Sequence, residues 1–236
     1  MKLLPAIFCI LFAFCILQTA HGANNLNTFR FAIQRLKNTV KSTVNSLTRF
    51  KSNSKYDLNR KLSNLKLDAM GNVNSISNPA LQQIRNDVDS AKAEGKDAEH
   101  CYESGRLQLR DASMTAFDDL DKCGKTGLES IAPALSNVDT TIAFGNKVEL
   151  DLDTIFPSCY NNNIFIMESC IAGKMPGANA SVQSLENQAT SVQDSVTTAS
   201  SRAVNSAYSC NQMPLTNVRQ AATNARLTAR SCIKNA

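Results

Sequence analysis

The chain has 236 residues with 43% hydrophobic and 19% charged side chains, no Trp, and a formal net charge of +5. That composition is globular, not disordered, and is long enough for one substantial domain or two small ones. The modest total charge argues against a general nucleic-acid binder, yet it hides an uneven distribution: +9 over residues 24–66, −8 over 67–160 and +3 from 161 onward.

Residues 1–22 read as a secretory signal peptide. Lys2 supplies the positive start, Leu3 to Leu17 is an apolar run too short to span a bilayer comfortably, and Ala20-His21-Gly22 places small residues at the cleavage site. Cleavage before Ala23 removes Cys9 and Cys15. Six cysteines remain, Cys101, Cys123, Cys159, Cys170, Cys210 and Cys232, which in a secreted chain implies three disulfides.

Residues 23–70 form a basic amphipathic helical arm. Leu26, Phe29, Ile33, Leu36, Val40, Val44 and Leu47 recur at steps of three and four, with Arg30, Arg35, Lys37, Lys41 and Arg49 mostly off that stripe. Lys51-Ser52-Asn53-Ser54 interrupts it, and a shorter helix follows through Leu58, Leu62, Leu65 and Met70. Residues 71–79 read as a linker, since Gly71 and the segment from Asn74 to Pro79 end a helix. The arm has two readings. It could contact a membrane surface or another anionic partner, or it could pack its apolar stripe onto the bundle with its basic face toward the acidic middle; the second is preferred.

Residues 80–236 read as a six-cysteine helical domain. Asn78 and Pro79 suit a helix start, and a heptad-like, coiled-coil-type stripe runs from Leu81 through Ile84, Val88, Ala91, Ala98, Tyr102, Leu109 and Leu120 to Cys123. Gly124-Lys125-Thr126-Gly127 stops it. A further helix carries Leu128, Ile131, Leu135, Val138 and Ile142 and closes near Pro157. Residues 160–173 are short and apolar, and 173–177 read as a loop. A last periodic region holds Val182, Leu185, Val192, Val196, Ala203 and Ala207, and continues past Pro214, which starts or kinks a helix, through Val218, Ala225 and Cys232. No β-alternation is evident. The fold expected is all-α: an elongated disulfide-stapled bundle of long amphipathic helices.

The cysteine spacing acts as a ruler. Cys101 and Cys123, like Cys210 and Cys232, stand twenty-two positions apart. In unbroken helix that interval is about six turns and ~33 Å, so both members share one face but cannot bond each other. The equal spacing suggests two rungs between two helices. Parallel helices would pair Cys101 with Cys210 and Cys123 with Cys232. Antiparallel helices would pair Cys101 with Cys232 and Cys123 with Cys210. A turn back at Gly124–Gly127 favours the parallel pairing; the alternative requires one long hairpin with Cys159 and Cys170 at its tip. In both, Cys159 pairs with Cys170, helped by a helix break at Asn161-Asn162-Asn163.

The layout Cys101 to Cys123, then Cys159-Tyr160 and Cys170, then Cys210 to Cys232, resembles the TsetseEP-domain family of secreted insect proteins. The likeness covers roughly residues 80–233. It implies a helical, extracellular protein of gut or other secretory tissue, in a family whose domain has no assigned activity. The Glu-Pro repeat tail of that family is absent, so a role carried by the tail is not implied.

No catalytic constellation is found. Gly124-Lys125-Thr126 lacks the preceding Gly of a phosphate loop, as Asp119 stands there. Glu149, Asp151 and Asp153 lack the glycine and terminal glutamate of a calcium loop and read as a solvated acidic face. His100, the one histidine after His21 is removed, cannot build a multi-histidine zinc site and reads as a surface residue. No site for a metal or cofactor is therefore expected. Asn179-Ala180-Ser181 is an N-glycosylation sequon. Insect odorant-binding proteins need two cysteines with three residues between them, which this chain lacks. The expected function is a secreted, non-enzymatic binding or interaction protein of insect gut lumen or another extracellular fluid, whose partner is an extracellular protein, glycan or apolar ligand and not nucleic acid. The alternative is a carrier of small apolar ligands or lipids inside the bundle.

Overall fold

A computed structural model describes residues 25–236; the signal-peptide reading falls outside them. The described chain is four helices: α1 (Asn25–Ala93), α2 (Glu99–Glu129), α3 (Ala132–Ser158) and α4 (Ile164–Asn235). There is no strand among the described residues, and no helix there is long and apolar enough to cross a membrane. Packing divides them into two units, residues 25–44 with 144–186, and residues 45–143 with 187–236.

In the larger unit three helical legs share one core. Leu47 meets Val138 and Val196, and Leu58 and Leu62 meet Ile131 and Ala203. Val73 meets Leu120 and Val218, Ile84 meets Leu109 and Ala225, and Val88 meets Cys101 with Cys232 alongside. Numbers rise along α1 as they fall along α2 and α3 and rise again along α4. The α2–α3 leg is thus antiparallel to both neighbours. Two buried polar contacts fix this register: Asn211 Nδ2 donates to the Leu65 carbonyl at 3.4 Å, and the Ser77 and Ser113 hydroxyls lie 2.9 Å apart. A buried Asn that finds its partner in only one alignment penalises every other alignment.

The smaller unit repeats the arrangement. Ile33 and Val40 of α1 pack with Val148, Leu152 and Ile155 of α3 and with Ile171, Val182 and Leu185 of α4. Gly145 permits the approach, since a Cβ there would lie 2.5 Å from Val44 Cγ2 and 3.3 Å from both Leu185 methyls.

The cysteine ruler holds, but the favoured pairing does not. The bonds are Cys101–Cys232 and Cys123–Cys210 in the larger unit, with Cα atoms 5.7 and 5.8 Å apart, and Cys159–Cys170 in the smaller, at 5.6 Å. The parallel alternative fails because the chain does not turn back at Gly124–Gly127. Helix α2 runs on to Glu129, breaks only at Ser130 and Ile131, and α3 continues along the same leg. The reversal lies earlier, inside the stripe read as continuous from Leu81 to Cys123. There Gly95 adopts φ 86°. Its N–H bonds to the Lys92 carbonyl at 3.0 Å and the Lys96 N–H to the Ala91 carbonyl at 3.1 Å. That is a Schellman motif, which a left-handed residue at this position closes and glycine adopts at least strain.

Further expected interruptions are helix instead. The linker at 71–79 lies within α1, as does Lys51-Ser52-Asn53-Ser54, and the larger unit draws on residues from both sides of 71–79. Residues 173–177 lie within α4, and Pro214 stands inside that helix without starting it. The apolar stripe explains the first of these: Val73, Ala80 and Ile84 are buried in succession, so packing outweighs breaker propensity. Pro79 leaves the Ser75 carbonyl without its helical partner, but both residues are exposed. The helix end near Pro157 and the break at Asn161–Asn163 stand as read, and Asn163 caps α4, its Oδ1 accepting from Phe165 N–H at 3.0 Å.

Candidate functional site

The basic arm packs as preferred. Its apolar positions Ile33, Val40, Leu47 and Leu58 are buried. Four of its ten cations meet acids of the middle segment: Lys37 Nζ lies 2.5 Å from Asp153, Lys41 3.3 Å from Glu149, Lys51 2.6 Å from Asp139 and Lys66 2.7 Å from Asp121. The hydrogen bond to Asp153 is also what raises the Lys37 ammonium above its ordinary value. Two of the three acids considered as a cation site, Glu149 and Asp153, are therefore engaged by lysines, and Asp151 is exposed between them.

His100 lies against the first disulfide, with Nε2 3.3 Å from Cys232 Sγ and 3.5 Å from Cys101 Sγ. The three potential ligand atoms fall within 4.8 Å of one another. Both sulfurs are consumed in a disulfide, whereas a metal needs thiolate, so this cluster is not a metal site in its oxidised state. Gly124-Lys125-Thr126 is ordinary helix, with Lys125 3.9 Å from Glu129. Asn179 is exposed but sits within α4 rather than in a loop, its amide donating to the Met175 carbonyl at 3.0 Å.

A concavity of the larger unit has no counterpart among the motifs of the sequence. It lies between α2 and α4 beside Cys123–Cys210 and has a volume of about 740 Å³. Gly127 of α2 and Ala199, Ala203 and Ala207 of α4 form its floor. Small side chains four residues apart share one helix face, and the two legs approach closely beneath them, where a Cβ on Gly127 would lie 3.1 Å from Leu62 Cδ2 and 3.5 Å from the Ala203 carbonyl oxygen. In the next layer the larger Leu120 and Leu215 meet. Cys123–Cys210 holds the walls at a fixed separation, and Met213 and Pro214 close one end. Charge is confined to the rim. Lys122 Nζ donates to Asp119 Oδ1 at 2.8 Å, which raises the ammonium above its ordinary value. The Arg202 guanidinium is exposed on the α4 side. Such a groove can take an apolar body with a polar or anionic group at its edge. It contains no nucleophile paired with a base. The signal that could have revealed it is the four-residue spacing of Ala199, Ala203 and Ala207.

The Arg85 clamp marks the other end of α2. Arg85 Nη1 and Nη2 each donate to Glu99 at 2.9 Å, and its Cζ sits 3.4 Å from the Tyr102 ring centroid. The bidentate pair holds the Glu99 carboxyl below its usual range and straddles the Gly95 reversal.

No family model matches the chain, and no curated protein and no solved structure matches it. Three disulfides point to an oxidising compartment.

Proposed function

We propose that the chain is a secreted, non-enzymatic binding or interaction protein of an extracellular fluid, such as insect gut lumen, related to the TsetseEP-domain family. The cysteine layout supports the kinship, and the oxidised cysteines support secretion. A small-ligand carrier is the second reading, and one observation favours it: the apolar-floored groove of about 740 Å³ whose walls are covalently fixed. Ligand enters there from the surface, so the bundle need not open. The exposed Asn179 side chain is compatible with a glycan, which a mass shift on enzymatic deglycosylation would reveal. Contact of the basic arm with a membrane is not favoured, because Lys37, Lys41, Lys51 and Lys66 are engaged by carboxylates.

Native mass spectrometry of the secreted protein tests the carrier reading. An apolar adduct should be present and should be lost in Ser206→Trp, which fills the groove from an exposed lining position. A bare mass, together with no displacement of a fluorescent fatty-acid probe by wild type, would leave the macromolecular-partner reading in its place.

A further inference from the structure

The smaller unit carries an apolar surface that the groove and the bundle core leave unused. The turn between α3 and α4, residues 159–163, is closed by Cys159–Cys170. Around it Tyr160 is 76% exposed, Ile164 45%, Phe165 77% and Ile166 54%. Exposed large apolar residues scattered singly are ordinary; four within seven positions are not. We infer that this turn is a membrane-interface contact, seating Tyr160, Ile164, Phe165 and Ile166 in the headgroup region of an anionic lipid bilayer.

Geometry selects a bilayer over a protein groove. Ile164, Phe165 and Ile166 are consecutive in the first turn of α4, so their side chains fan out at about 100° intervals around the helix axis. A groove covers one stripe of a helix, at steps of three and four. A surface that surrounds the helix end covers all three at once. Tyr160 on the opposite side of the turn has the apolar body and polar tip that interfaces favour.

The turn is built to enter a low-dielectric layer. Backbone polar groups without partners are costly there. Here Asn161 Oδ1 accepts from Asn163 N–H at 2.8 Å and Asn163 Oδ1 from Phe165 N–H at 3.0 Å. The Cys159–Cys170 bond fixes the turn beforehand, so insertion orders little chain.

Two cations held beside the turn can meet anionic headgroups. Arg30 lies over the Phe156 ring at 5.6 Å, and Lys174 Nζ donates to Ser158 Oγ at 2.5 Å, which brings both cations beside the turn. Glu168 on the adjoining stretch of α4 and the exposed Asp151 of α3, which lines one recess with Lys174, are the acids nearby, whereas Asp153 is engaged by Lys37. Arg30 and Lys174, held against the end of α3 by their contacts with Phe156 and Ser158, place two cations behind an apolar tip, so attraction to anionic headgroups adds to the burial of apolar surface.

The chain contains no Trp, so a single Phe165→Trp substitution in the full-length protein gives an unmixed fluorescence reporter. Its emission should shift to the blue with phosphatidylcholine–phosphatidylserine vesicles and much less with phosphatidylcholine alone. Leu227→Trp, at an exposed position of the larger unit, should not shift. In flotation assays Phe165→Ser/Ile166→Ser should bind the mixed vesicles at least about tenfold more weakly, with helical circular dichroism unchanged. Equal flotation of that variant and wild type, or no shift at Phe165→Trp, would overturn the inference. So would a blue shift that appears without vesicles and grows with protein concentration, which would assign the surface to a second copy of the chain.

Discussion

The three disulfides are nested rather than interlaced, and this orders the effect of removing each. Cys159–Cys170 spans a sequence separation of 11, Cys123–Cys210 encloses it with 87, and Cys101–Cys232 encloses both with 131. Each inner bond shortens the ring that the next one closes. The outermost ring is then only the two legs between rungs, about 44 residues, and on the chain-entropy relation its opening costs about 4.0 kcal/mol. Removing the middle bond merges two rings into one, for a loss of about 3.6 kcal/mol, and removing the innermost costs about 2.6 kcal/mol. Paired Cys→Ala replacements isolate each bond without stranding a thiol. Urea unfolding followed by helical circular dichroism measures the losses. The order expected is Cys101/Cys232 at least equal to Cys123/Cys210, with Cys159/Cys170 smallest. A larger loss for Cys159/Cys170 than for Cys101/Cys232 would refute the nested-ring reasoning.

Gly95 and Gly145 test the backbone. At Gly95, φ 86° forces any L side chain into the left-handed region, so Gly95→Ala should lower stability by about 1–2 kcal/mol in urea titrations. At Gly145 the added methyl meets the stiff, β-branched Val44. Gly145→Ala should therefore destabilise by about 1–3 kcal/mol, and Val44→Ala in the same chain should recover part of the loss, a coupling that a double-mutant cycle reads directly. The Arg85–Glu99 clamp sets a pH dependence. Because the folded Glu99 carboxyl titrates below its unfolded counterpart, its contribution is complete above the ordinary carboxylate range and disappears as pH falls through the depressed value. Glu99→Gln should melt below wild type near neutral pH, and the two curves should converge in acid.

Helical periodicity, the even cysteine count and the equal spacing of two cysteine pairs are legible in the amino-acid sequence alone. So is the local Cys159–Cys170 pairing, because three consecutive asparagines between them break a helix. The pairing of the rungs is not, for a definite physical reason. Ala91 and Ala98 are both buried, at 5% and 2% exposure, on either side of the Gly95 reversal. The apolar rhythm therefore runs through a turn without a visible gap. Conversely, Gly71, Pro79, Gly173 and Pro176 read as breakers, yet the helices pass through them, since a stripe that is buried on both sides outweighs the local propensity. The groove is hidden in the sequence because Ala199, Ala203 and Ala207 look like close-packing positions, and Ala203 and Ala207 do pack with Leu58 and Leu62 while the same stretch of α4 lines the recess. Ile164-Phe165-Ile166 looks like core for the opposite reason, hydropathy alone being silent on whether a short apolar run has anything to pack against.

The antiparallel α2–α3 leg is the premise of the register, the groove and the nested rings alike, and non-reducing peptide mapping tests it most directly. Trypsin places Cys101, Cys123, Cys210 and Cys232 on separate peptides, 97–106, 123–125, 203–219 and 231–234, and leaves Cys159 and Cys170 together on 148–174. The account predicts that 97–106 is joined to 231–234, and 123–125 to 203–219. Recovery of 97–106 joined to 203–219, with 123–125 joined to 231–234, would contradict it.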